Sequence, residues 1–89
     1  MAGSDRKFNA TELVPGKTYR VVKEFRDYWS TPHLVGETWR YEGKNFLPYE
    51  DGLTLFVLRD GNRELINLQW REETQGQIID EFYFFVEEI

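Results

Sequence analysis

The pair Asp60-Gly61 lies between two apolar-rich segments, residues 53–58 and 65–68. An Asp-Gly pair in that setting forms a type I′ hairpin turn, because both central residues take positive φ and the turn then matches the twist of the flanking strands. With those two residues as the loop, Arg59 faces Asn62 and every pairing behind it follows. Leu55 meets Ile66 and Leu53 meets Leu68 on the face expected to form the core, while Phe56 meets Leu65 on the other. A hairpin that is apolar on both faces needs a cover for the outer one.

The C-terminal segment offers that cover. Ile78, Ile79, Phe82, Phe85, Val86 and Ile89 recur at the spacing of an amphipathic helix. Thr74 followed by Gln77 fits a capping box, which predicts a helix from there to the end of the chain. Two features oppose it. Gly76 in the first turn costs about 1 kcal/mol relative to Ala, and Glu87 and Glu88 fall at the negative end of the helix dipole. Such a helix needs its apolar face docked to persist.

Upstream, Pro15-Gly16 reads as a turn. The following strand, 18–25, places Tyr19, Val21 and Phe25 on one face and Arg20, Val22 and Glu24 on the other. Residues 26–35 have no period, contain Pro32 and read as a surface loop. A second strand spans 37–41, with Gly43 and Asn45 marking the next turn. Residues 1–10 are small, polar and aperiodic, which predicts a flexible tail ahead of one globular domain over 11–89. The expected fold is mainly β with one C-terminal helix: a small SH3-like barrel, or a rolled antiparallel sheet capped by the helix. An open four-stranded sheet with the helix on one face is the alternative.

A chain of 89 residues holds one small core. With no cysteine, disulfides, thiolate metal sites and cysteine nucleophiles are excluded. Aromatic residues, 17% of the chain, supply the bulk that lets a short sequence fill its interior. The net charge is −5 and unevenly spread: Glu72 to Ile89 carries six acids and no base. That field argues against nucleic acid and anionic membranes as partners, although Lys17, Arg20 and Lys23 form a small basic patch. The longest apolar run, Phe82 to Val86, is far too short to span a bilayer. The N-terminus lacks the apolar stretch of a secretory signal, so a cytoplasmic location is expected.

No catalytic set stands out. His33, the single histidine, lies beside Pro32 and reads as a surface or turn residue. Ser30, His33 and Asp27 make a formal triad, but they share one loop and lack the strained elbow that presents a nucleophile. Glu50 and Asp51 belong to a turn sequence and sit too close together for paired-carboxylate chemistry. Asp80, Glu81, Glu87 and Glu88 read as a solvated face. No phosphate-binding glycine loop or metal pattern is present, so no cofactor is expected.

The aromatic residues outside the periodic segments are more informative. Tyr28 and Trp29 lie in the irregular loop, Tyr49 precedes the hairpin, and Trp70 ends its second strand. Trp and Tyr in loops are favoured interface anchors, and these four are the candidate ligand-binding residues. Trp39, on a strand, is expected in the core.

The strings GKTYRVVKEF, GETWRYEGKNFLPYEDGLTLFV and LQWREETQ resemble a small bacterial family of uncharacterised domains, over roughly residues 13–86. The resemblance implies a stand-alone bacterial cytoplasmic domain and carries no reaction or site residue with it. The reading that follows from the residues is a non-enzymatic interaction or regulatory module, binding a protein or peptide through the loop aromatics, as a monomer or weak homodimer. A small-molecule or carbohydrate-binding domain is the alternative, with a single-stranded nucleic-acid binder behind it.

Overall fold

The computed structural model describes residues 7–47 and 51–89. In chain order the elements are β1 (Thr18–Val21), β2 (Phe25–Arg26), β3 (Pro32–His33), β4 (Thr38–Leu47), β5 (Gly52–Arg59), β6 (Asn62–Gln69), α1 (Gly76–Asp80) and β7 (Val86–Glu88). Short 3-10 turns lie at Ala10–Glu12 and Phe82–Phe84. The main sheet is antiparallel with order β6-β5-β4-β1-β7, and β2 and β3 form a separate two-stranded ribbon. The fold is thus mainly β with one short C-terminal helix. Its hydrogen-bonded ladder ends at β6 and β7, and among the described residues no strand pairing closes it into the expected barrel.

The hairpin follows the turn chemistry. Asp60 and Gly61 take φ of 52° and 81°, Arg59 pairs with Asn62, and Leu55–Ile66, Leu53–Leu68 and Phe56–Leu65 are the cross-strand pairs. Pro15-Gly16 also turns as expected: Lys17 N–H donates to Val14 C=O, and Gly16 takes φ of 91°, open to glycine without strain. The predicted turn at Gly43 and Asn45 is absent. Strand β4 runs through it with a bulge between Tyr41 and Gly43, beyond which the register against β5 is shifted by one residue.

One face of the sheet carries Tyr19, Val21, Trp39, Tyr41, Leu53, Leu55, Val57, Ile66, Leu68 and Val86, all buried. Ile79 and Phe82 join that same cluster. The C-terminal segment therefore covers the core face, not the outer one, where Leu65 remains 51% exposed. The core face holds the larger aliphatic and aromatic set, so docking there removes more apolar surface from water. Residues 8–10, expected to fray, are also docked. Ala10 is buried, Phe8 packs near Tyr19 and Tyr83, and Asn9 caps the first 3-10 turn.

The predicted long helix is short. It spans Gly76–Asp80 without a Thr74 cap, since the Thr74 hydroxyl donates instead to the Gln69 and Arg71 carbonyls. The last residues extend as β7 beside β1. Electrostatics favours this outcome. As a helix end, Glu87 and Glu88 would meet the negative pole of the dipole; as a strand, Glu87 pairs with Arg20 and Glu88 lies 3.7 Å from Lys17. Lys23 stands over the Phe85 ring. All three members of the basic patch are thus engaged. Among the described residues no helix is long and apolar enough to cross a membrane.

Two outcomes test this packing. A methyl group at Gly76 would lie 2.6 Å from the Arg71 carbonyl oxygen, so Gly76→Ala should destabilise by about 1–3 kcal/mol in urea unfolding, the opposite sign to helix propensity. Burial, with a smaller effect of Tyr19, holds the Tyr41 phenol above its ordinary value of 10.0. The neutral phenol is the form the folded state prefers. Its contribution is therefore complete below about pH 10 and is lost as the pH rises through the folded value. Alkaline unfolding should shift to higher pH in Tyr41→Phe.

Candidate functional site

Asp27 follows β2 and begins the turn into β3. Its Oδ1 accepts from the backbone N–H groups of Trp29 and Thr31 at 2.9 and 3.0 Å. Its carbonyl accepts from Ser30 N–H. This Asx-type arrangement is what an aspartate at a turn start supplies, and it brings Ser30 to a φ of 63°, sparsely populated for a residue with a Cβ. The Arg26 guanidinium closes the turn on the Ser30 carbonyl at 2.8 Å.

The other Asp27 oxygen, Oδ2, lies 3.2 Å from His33 Nε2, and His33 Nδ1 lies 2.7 Å from Glu37 Oε2. Glu37 Oε1 in turn lies 3.3 Å from Arg59. The Asp27, His33 and Glu37 side chains are no more than 6% exposed, and the imidazole stacks on Phe25 at 4.8 Å. A carboxylate oxygen thus faces each ring nitrogen. His33 is therefore not the surface residue its loop position suggested. A triad is excluded by the same contacts: both ring nitrogens are occupied by carboxylates, leaving none to activate the Ser30 hydroxyl. Among the described residues no His, Asp and Glu side chains are grouped to hold a metal ion.

This buried network presents an exposed dipeptide. Trp29 is 69% and Tyr28 46% exposed, their rings edge to face at 5.8 Å. Tyr28 N–H donates to the Asn67 carbonyl on β6, and the Gln75 amide reaches the Asp27 carbonyl at 3.4 Å. Both residues line a groove of about 320 Å³ with Leu47, Thr54, Asn67 and Gln69. The Thr54 hydroxyl donates to Asn67 Oδ1 at 2.9 Å, so the carbonyl end of that amide is engaged and its N–H groups have no partner among the described residues.

Trp70 stands elsewhere. It is edge-on to Phe46, donates to Asp80 at 2.9 Å, and lines a separate cavity with Glu72, Gln77 and Glu81. Tyr49 and Glu50 lie outside the described residues. Asp51 bonds Arg71 at 3.0 Å, an arrangement that, with Glu73 and Tyr28 nearby, holds the guanidinium above its ordinary value. Sequence reasoning missed Asn67 and Thr54. The hairpin register would have paired them, but nothing in the sequence indicated which part of the hairpin the 27–31 turn would reach.

A family described as "Domain of unknown function (DUF3601)" matches residues 3–89. A solved structure titled as an integron cassette protein from the mobile metagenome of Vibrio cholerae is similar at a TM-score of 0.86 and 33% identity, over 97% of each chain. Comparison with curated proteins gives no match.

Replacing His33 by Ala leaves two carboxylates buried without their shared partner and should cost about 3–5 kcal/mol in urea unfolding. Trp29→Ala, at an exposed ring, should cost less than about 0.5 kcal/mol. A melting temperature lowered by more than about 10 °C in Trp29→Ala would make that ring part of the core.

Proposed function

The chain belongs to the DUF3601 family of domains of unknown function, and we propose that it is a non-enzymatic interaction module that binds a protein or peptide through Tyr28 and Trp29. One observation carries the reading: a largely exposed Trp-Tyr pair stands on a turn tied down by a buried ionic network and by a backbone bond to β6. Aromatic rings held in place before binding lose little conformational freedom on association, which is how such anchors contribute affinity. Full coordination of the histidine by carboxylates supports a structural role for it and not a catalytic one.

Engagement of Lys17, Arg20 and Lys23 with groups of the C-terminal segment supports a partner other than nucleic acid. The likeness to the Vibrio cholerae cassette protein supports a bacterial setting. A second reading, a small-molecule or carbohydrate site in the same groove, is favoured by its volume of about 320 Å³, at the low end of ligand pockets.

Selection of a displayed random-peptide library on the immobilised protein should yield binders that weaken at least about tenfold, or ~1.4 kcal/mol, in Trp29→Ala and Tyr28→Ala. A library with no Trp29-dependent binder, together with a thermal shift from an oligosaccharide or metabolite panel, would transfer the site to the second reading.

A further inference from the structure

Building on the peptide-binding reading, we propose that the Tyr28–Trp29 groove takes a proline-rich segment in the polyproline II conformation, with basic residues at the end nearest Arg71–Glu73. Three observations converge on that chemistry.

The first is the hydrogen-bonding polarity of the groove. Asn67 Oδ1 already accepts from Thr54, so the amide offers its N–H groups, and Trp29 and Tyr28 add an indole N–H and a phenol O–H as further donors. A proline-rich backbone presents carbonyl acceptors and few N–H groups, and its polyproline II form leaves those carbonyls free of internal bonds. Donor-rich walls and an acceptor-rich ligand match.

The second concerns the sheet edge beside the groove. Strand β6 is an edge of the main sheet, and an extended peptide could in principle add to it as a further strand. At the groove, however, Tyr28 N–H holds the Asn67 carbonyl, and the Thr74 hydroxyl reaches the Gln69 carbonyl. The acceptors that a peptide's N–H groups would need along this part of β6 are already engaged. A ligand poor in N–H groups loses nothing there. Paired aromatic rings are also the surfaces on which proline rings pack, and a preformed polyproline II segment has little conformational entropy to lose.

The third is charge. None of the described lining side chains is ionised, which suits an uncharged central segment. At one end, Gln69 leads through Trp70 into Arg71, Glu72 and Glu73. Asp51 neutralises Arg71 at 3.0 Å, leaving the two exposed glutamates as surplus negative charge on a chain of net charge −5. Lys or Arg in the ligand is therefore favoured toward the Glu72–Glu73 end.

The test uses synthetic peptides of about ten residues, spanning about 31 Å as polyproline II, titrated against wild type and Trp29→Ala by calorimetry. One peptide is proline-rich with two terminal arginines. A second replaces its prolines by alanine, and a third replaces its arginines by glutamate. Circular dichroism checks that Trp29→Ala remains folded. The first peptide should bind at least about tenfold tighter than either control, lose at least about tenfold in Trp29→Ala, and weaken as salt rises.

Equal binding of the alanine peptide would overturn the polyproline assignment, and equal binding of the glutamate peptide would overturn the charge assignment. No Trp29-dependent binding of the proline-rich peptide, while the displayed library still yields Trp29-dependent peptides without proline, would sink this inference and leave the peptide-binding reading standing. A library without such binders would remove both.

Discussion

An imidazole enclosed between two carboxylates governs where the most exposed part of this molecule stands. Ion pairs of this kind contribute little net stability compared with apolar packing, because desolvating the charges offsets most of their attraction. Their asymmetry is the important property: the arrangement is costly to break once formed, so it selects one geometry over its neighbours. Here that geometry links β2, β3, the start of β4 and the hairpin end of β5 through Asp27, His33, Glu37 and Arg59. The Asp27 carboxylate serves both the network and the turn, with one oxygen on His33 and the other on the backbone N–H groups of Trp29 and Thr31. The position of the Trp29 ring thus follows from a buried charge balance several residues away.

The C-terminal segment shows a related competition between local pattern and charge. Its apolar spacing suits a helix, and Ile79 and Phe82 do enter the core from helical or 3-10 turns. Beyond Phe85 the chain gains more by extending beside β1, where Arg20 and Lys17 meet Glu87 and Glu88. That choice adds an edge strand to the sheet and neutralises the basic patch that the first third of the chain otherwise carries. The local signal was sound over two turns and failed where long-range pairing outweighed it.

Much of the hairpin was legible because a two-residue turn with positive φ at both positions admits few residues, and Asp60-Gly61 is one of the pairs that fits. The burial of Trp39 followed from alternation in the same way. Tyr28 and Trp29 were legible as candidates because no period required their burial. His33 was misread for the converse reason: a short ribbon of two residues on each side has no period to detect, and its partners Asp27 and Glu37 reveal themselves only once the turn folds. Nor could spacing separate Trp70 from the Tyr28–Trp29 groove. Strand β6 ends at Gln69, and Trp70, the next residue, lines a different cavity despite being its neighbour in the chain.

Alone, the sequence determined the turns at Pro15-Gly16 and Asp60-Gly61, the hairpin register and which hairpin side chains leave water, since these depend on backbone conformations and alternations local to a few residues. Tertiary structure decided which face the C-terminal segment covers, where its helix gives way to a strand, and that a histidine and two carboxylates meet beneath an exposed tryptophan. Those outcomes rest on charges and surfaces distant in the chain, whose energies exist only after folding brings them within a few ångströms of each other.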